Sequence, residues 1–179
     1  MPINMKAVIA ETFVELMRRK NIDRITVRDV VEACGVSRQT FYYHFRDITE
    51  VIEYLVQQAF QDMLRESLKA DTLRDALSVF IAAAVASERL LRKLMHSQRR
   101  EQIENLLVQA VRTYLGELLR AKGPGLEVPL TDVDLALSFC AYGIAGLLLE
   151  HFEKYDLDQE KLADQMARLL SGKMIDFSE

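Results

Sequence analysis

The chain has 179 residues, half of them hydrophobic, with only 3 Pro and 7 Gly. That is long enough to bury a sizeable core and too poor in turn residues for an all-β or disordered protein. The net charge of −4 excludes a surface that attracts nucleic acid generally, so any such affinity must come from a local patch.

The charge is uneven: residues 1–50 carry 8 Lys and Arg against 7 Asp and Glu, whereas the remainder carries 15 against 20. The N-terminal part is therefore the candidate nucleic-acid contact. Helical periodicity runs through almost the whole sequence, and no alternating strand pattern appears. The first helix is predicted over about Ile3–Arg19, with Val8, Ile9, Thr12, Phe13 and Leu16 as its apolar stripe and Arg18, Arg19 and Lys20 complementing its C-terminal dipole. A second opens at Thr26, where Thr26-Val-Arg-Asp29 has the form of a capping box, and closes at Gly35. Ser37 caps a short third helix that runs to about His44, and Asp47-Ile-Thr-Glu50 opens a long fourth one to about Lys69.

Asp71 is the expected cap of the fifth helix, whose stripe is Leu73, Ala76, Leu77, Phe80 and Ala84. The sixth covers Glu88–Met95. The seventh carries Ile103, Leu106, Leu107, Ala110, Val111, Tyr114 and Leu118 on one face and stops at Gly123-Pro124-Gly125. Thr131-Asp-Val-Asp134 caps the eighth, and the ninth runs from about Asp158 to Leu170. This gives an all-α chain of about nine helices: an N-terminal domain over residues 1–46 and a helical bundle over 47–179. The fourth helix joins them without a flexible linker.

Cys34 and Cys140 lie far apart and match no metal-ligand spacing, so neither a disulfide framework nor a zinc cluster is expected. No signal peptide is recognisable at the N-terminus. The longest uncharged run, Leu135–Leu149, has 15 residues, short of the ~20 that a membrane helix needs. A soluble, cytoplasmic protein is expected. His44, His96 and His151 are scattered, and no phosphate loop, nucleophile elbow or zinc-protease motif is present, so no metal, cofactor or enzymatic activity is predicted.

Residues 26–45 carry the strongest signal. Two helices meet at a tight turn centred on Gly35, the arrangement of a helix-turn-helix whose second member lies in the DNA major groove. At about 100° per residue, Phe41 and Phe45 share the core face of that second helix, while Gln39, Thr40 and Tyr43 point away and Arg38, Tyr42 and His44 flank the boundary. Gln reads adenine bidentately, Thr and Tyr meet thymine methyls, and Arg and hydroxyl groups hold phosphates. Tyr42 suits either packing or DNA.

The run Gly35-Val36-Ser37-Arg38-x-Thr40-Phe41-Tyr42-x-His44-Phe45 resembles the helix-turn-helix of the TetR family of regulators, closely over about residues 5–55. The resemblance implies that Arg28, Gln39, Thr40 and Tyr43 lie near bases and that Thr26, Ser37, Arg38, Tyr42 and His44 serve mainly phosphates. The family often has Lys two residues after the position of Arg46; here that residue is Ile48, so either Arg46 and the helix N-terminus substitute for it or DNA binding is weaker and less salt-dependent. The arm before the first helix is short, with Lys6 its only basic residue, so little minor-groove contact is expected. The Ser37–Phe45 version of the motif is similar to that in regulators of dihydroxyacetone-kinase operons, some of which act as coactivators.

The eighth helix is apolar nearly all round: Leu135, Leu137, Phe139, Ala141, Ile144, Leu147 and Leu148. A helix of that kind is buried on every side; one face would pack on its own bundle and the other on a second copy, with Gly143, Ala145 and Gly146 permitting close approach. The TetR resemblance implies a homodimer interface from the helices near 131–154 and 158–170, and operator DNA as partner. It also implies a small-molecule effector in the bundle, for which Phe80, Met95, Tyr114, Phe139 and Tyr142 are candidate lining residues and His96 and Cys140 candidate polar members. Each of the five also fits plain core packing. The expected function is that of a ligand-responsive homodimeric repressor on a palindromic operator; the alternative is a TetR-like coactivator or adaptor acting through a protein partner.

Overall fold

The structure, a computed structural model, describes residues 4–122, 130–154 and 158–170. Among these it contains nine α-helices and no strand: α1 Met5–Arg19, α2 Val27–Cys34, α3 Arg38–His44, α4 Ile48–Ser67, α5 Leu73–Ala86, α6 Glu88–Met95, α7 Arg100–Lys122, α8 Leu130–Lys154 and α9 Gln159–Leu170. A single 3-10 turn, Ile22–Arg24, lies between α1 and α2; it buries Ile22 just ahead of buried Ile25 and is too short for periodicity to reveal. The stop expected at Gly123-Pro124-Gly125 lies outside the described residues.

The helix ends follow local chemistry. Thr26 and Asp29 form the reciprocal capping box of α2, and Gly35 ends that helix at φ 68°, a left-handed conformation that costs a residue with a Cβ roughly 1–2 kcal/mol. The cap of α5 is Thr72 rather than Asp71: its hydroxyl accepts the Asp75 N–H at 3.1 Å, because Thr72 with Asp75 has the three-residue spacing that a cap requires. Asp158 accepts the Lys161 N–H at 3.0 Å and opens α9.

The chain divides into two compact units that do not follow chain order. Unit 1 comprises residues 1–58 and 89–106, and unit 2 residues 59–88 and 107–179. In unit 1, α1 buries Ile9, Ala10, Phe13 and Met17, a stripe rotated from the one expected, with Val8, Thr12 and Leu16 only half-buried. Phe41, Phe45, Val51 and Ile52 complete the core. Helix α6 and the start of α7 belong to this unit. Lys93 Nζ donates to the C-terminal carbonyls of α1, Met17 at 2.6 Å and Arg18 at 3.1 Å, where a cation is favoured by the helix dipole. Asp23, on the 3-10 turn, accepts the Gln98 N–H at 3.1 Å and pairs with Arg99.

In unit 2, α5 packs along α9, and Arg74 spans the pair to Glu160 at 3.1 Å and Asp164 at 3.8 Å. Helix α7 meets α8 at Gly116, where an added Cβ would lie in ordinary contact with Leu137 at 3.7 Å, and where Arg112 donates to Ser138 and pairs with Asp134. The core centres on Phe80 and Tyr114, whose rings lie 5.0 Å apart. The Tyr114 hydroxyl donates to Ser67 Oγ at 2.8 Å, and Ser67 Oγ donates to the Ala76 carbonyl at 3.2 Å. Burial pushes the Tyr114 phenol above its ordinary pKa.

Helix α8 is buried on one face only. Ala141, Ile144, Ala145 and Leu148 are buried, whereas Leu135, Phe139 and Tyr142 are 73%, 77% and 63% exposed. Its segment Thr131–Glu150, with a mean hydropathy of 1.6, is long and apolar enough to cross a membrane by length and composition. The core helix of a soluble protein passes the same test of length and composition.

Replacing Tyr114 by Phe is expected to cost about 1 kcal/mol, because it removes the hydroxyl that donates to Ser67 Oγ at 2.8 Å and, more distantly, to the Ala76 carbonyl at 3.3 Å. Urea denaturation should show a lowered midpoint with an unchanged slope.

Candidate nucleic-acid interface

The candidate reading face is built by α2, the turn at Gly35, and α3. Phe41 and Phe45 are fully buried, with rings 6.0 Å apart, and Tyr54 meets Phe45 edge-on at 5.6 Å. With that face anchored, the residues between are turned outward: Arg38, Gln39 and Tyr42 are exposed, Thr40 and His44 half-buried, and Tyr43 is 84% exposed. The rings of Tyr43 and His44 meet edge to face at 4.9 Å, and the Tyr42 ring stands edge-on to Phe41 at 5.5 Å. Tyr42, left open by its sequence position, thus touches the core with one edge and faces solvent.

Several of the predicted contact residues already have work within the chain. Ser37 Oγ accepts the Thr40 N–H at 3.0 Å and shares a hydrogen bond with the Thr40 hydroxyl at 2.9 Å. Thr26 Oγ donates to Asp29 at 2.7 Å while accepting the Asp29 N–H. Lys20 Nζ reaches the other Asp29 oxygen at 2.6 Å, and this ammonium, with the two Thr26 donors, holds the Asp29 carboxyl well below its ordinary pKa. Arg28 pairs with Glu32 at 2.6 Å. At the start of α4, Glu50 accepts the Arg46 backbone N–H at 2.6 Å and its Nε at 3.2 Å, while Asp47 accepts the Glu50 N–H at 2.9 Å. The Arg46 N–H and then its guanidinium hold the Glu50 carboxyl below the ordinary range.

Ile48 is 6% exposed and belongs to the core with Val51 and Ile52; its side chain is spent on packing. Lys6 lies over the rings of Phe45 at 5.2 Å and Tyr54 at 5.8 Å, an arrangement that ties the cation to unit 1. The glutamates were absent from the sequence-derived site. Their signal was the four-residue spacing Arg28–Glu32 and Arg46–Glu50, which places each pair on one helix face.

Of the candidate effector-lining residues, Phe80 and Tyr114 meet in the unit 2 core, and Phe139 and Tyr142 stand on the exposed face of α8. Met95 is half-buried and belongs to unit 1. His96 is exposed, its Nδ1 2.7 Å from the Arg92 carbonyl. Cys140 is half-buried, and burial raises its thiol pKa. Among the described residues, no group of three or more His, Cys, Asp or Glu is arranged to hold a metal ion.

Residues 9–55 match the family model for bacterial regulatory proteins of the tetR family, and residues 84–172 match that of a transcriptional regulator C-terminal region. The chain belongs to the TetR family. As such it is a transcriptional regulator with a DNA-binding helix-turn-helix, here α2 and α3. A TetR-type relative is the HTH-type dhaKLM operon transcriptional activator DhaS of Lactococcus lactis subsp. lactis (strain IL1403), 27% identical over 60 residues; the match covers 34% of this chain and 32% of that protein. The solved structure of a dihydroxyacetone kinase operon activator DhaS has a TM-score of 0.71 at 17% identity and covers 96% of each chain. The TetR-family repressor FadR of Thermus thermophilus, in complex with lauroyl-CoA, has a TM-score of 0.53 at 18% identity over 97% of each chain. These two likenesses concern the fold.

Replacing Asp29 by Ala is expected to destabilise the protein by about 1 kcal/mol through loss of the capping box. Because the folded-state pKa of Asp29 lies below its ordinary value of 3.8, its contribution is fully present above that value and is lost as the pH falls through the lower folded value. Thermal unfolding of the two proteins should therefore differ by the full amount above about pH 4 and draw together progressively below it, as the pH approaches the folded value.

Proposed function

We propose that the protein is a homodimeric regulator that reads a palindromic operator through α3 and responds to a small molecule bound in its C-terminal helical part. The observation that carries the reading is the outward face of α3: Gln39 and Tyr43 exposed beside Arg38, on a helix locked from behind by buried Phe41 and Phe45. Gln39 and Tyr43 read base edges, with Thr40 and Arg28 beside them. Arg38, Tyr42, His44 and the Ser37 end of α3 hold the backbone, and Thr26 and Arg46 lie at the margin. Residues 1–46 carry the DNA-reading helices, the effector and dimer roles fall to unit 2 within 47–179, and the protein works in the cytoplasm.

The dimer reading is supported by α8. Leu135, Phe139 and Tyr142 form an apolar stripe exposed in the single chain, and at Gly143 and Gly146 an added Cβ would meet nothing within 4 Å. A second copy covers such a stripe and sets two recognition helices about one DNA turn apart; α9 contributes at its edge through Leu169, itself exposed. The effector reading draws on the lauroyl-CoA complex of the Thermus relative. Phe80 and Tyr114, which meet in the core of unit 2, are the residues to examine, and an effector acts through α4, whose residues are shared between the two units. Repression is the sign of regulation proposed.

A second reading, activation through a protein partner, is favoured by one observation: the two relatives described as DhaS are named as activators. Selection of genomic fragments by the purified protein, followed by sequencing, separates the readings. Enrichment of one palindrome supports direct operator binding; no enrichment by an intact dimer supports the partner reading.

Tyr43→Ala and Gln39→Ala are each expected to weaken operator binding by about 1–3 kcal/mol per lost base contact while changing affinity for scrambled DNA little. Equal losses on both DNAs, measured by fluorescence anisotropy, count against base reading. Gly146→Asp is expected to give monomers by sedimentation velocity, since the carboxylate would be desolvated at the dimer face but meets open space in the single chain.

A further inference from the structure

We infer that Glu32 and Glu50 set the selectivity of this regulator by holding Arg28 and Arg46 in intramolecular pairs that a base edge or a phosphate of DNA must displace. The inference rests on the operator-reading assignment above and concerns the same face.

Two of the three arginines assigned to the DNA contact are neutralised within the chain. Arg28 Nε lies 2.6 Å from Glu32, and Arg46 Nε 3.2 Å from Glu50. Arg38 makes no ion pair among the described residues. The pairs differ in a way that matters. Both side chains of Arg28–Glu32 are exposed. In the second pair the guanidinium is 81% exposed but the carboxylate only 28%. The Glu50 carboxylate is also fixed by the Arg46 backbone N–H at 2.6 Å. It therefore sits at the α4 N-terminus as an anion held by two hydrogen bonds, where a DNA phosphate would otherwise be drawn by the helix dipole. The neighbouring Asp47 carboxylate takes the Glu50 N–H, and Lys6 is engaged by aromatic rings. Ile48, being buried, adds no cation at this end of the face.

A loose, water-separated phosphate contact on nonspecific DNA gains too little to break these pairs. A bidentate contact of Arg28 with a guanine edge, or a docked phosphate at Arg46 in the fitted operator complex, gains enough, because exposed pairs are weak. The glutamates thus depress nonspecific affinity more than operator affinity, and specificity is the difference of the two. In a chain of net charge −4, this confines DNA affinity to sequences that α3 fits.

The test is fluorescence anisotropy of the full chain and its Glu32→Gln, Glu50→Gln and double variants, on the palindromic duplex recovered by selection and on a scrambled duplex, across a salt series. Gln serves in a capping box as Glu does, so Glu50→Gln keeps the start of α4, and circular dichroism checks this. Each variant is expected to bind the scrambled duplex about 3–10-fold more tightly and the operator less than threefold more tightly, with a salt slope steeper by about 0.9 for each guanidinium released. Glu11→Gln, an exposed change on α1, is the control for net charge. In an Arg46→Ala background Glu50→Gln should have no more effect than this control. Unchanged scrambled-duplex affinity in the glutamate variants, with the unaltered chain still preferring its palindrome, overturns the inference and leaves operator reading standing. So does an effect of Glu50→Gln that persists without Arg46. Failure of the unaltered chain to bind either duplex overturns the DNA-reading assignment, and this inference with it.

Discussion

Phe41 and Phe45, one helical turn apart on a helix of only seven residues, pin α3 to the core of unit 1. A helix of that length has no stability of its own. Its existence and its rotation about its axis come from these two rings, from the Ser37 cap and from Tyr54 behind them. The outward direction of Gln39 and Tyr43 is a geometrical consequence of that anchorage. The left-handed residue Gly35 matters for the same reason: it lets the chain turn sharply enough for α2 to lie behind α3.

Much of this was legible in the sequence, because the helix signals and the recognition motif are local. The capping box at Thr26, the glycine stop at Gly35 and the Ser37 cap all lie within three residues of the ends they set. The apolar period placed Phe41 and Phe45 inward and Tyr43 outward. What escaped depends on contacts distant in sequence or on choices between neighbours. Asp71 and Thr72 are both good caps, and only the spacing to Asp75 separates them. The stripe on α1 is rotated toward Ala10 and Met17 because the first helix packs against α2 and α3, which periodicity alone does not specify. Lys93 and Asp23 find their partners some 75 residues away, beyond any local pattern. The exposed stripe of α8 could be read as apolar but not as solvent-facing in the single chain.

Electrostatics modifies what the motif implies. A list of basic residues on the reading face overstates its attraction for DNA when the carboxylates at helical spacing are left out. Arg28 and Arg46 are each matched by a glutamate one turn later, Lys20 is matched by Asp29, and the position where the family often carries Lys has gone to the core as Ile48. On the proposed reading, shape and base contact therefore weigh more in this chain than bulk charge.

The unit that carries the recognition helix is discontinuous: residues 89–106 complete it after an excursion of thirty residues into the other unit. During synthesis from the N-terminus, α1, α2 and α3 emerge first but wait for α6 before the α1 carbonyls and Asp23 acquire Lys93, Gln98 and Arg99. Closing that long loop raises the mean sequence separation of the unit's contacts, which slows folding. The nascent helix-turn-helix thus reaches its finished form only after more than half of the polypeptide has left the ribosome, and the order of translation delays the appearance of a completed reading head.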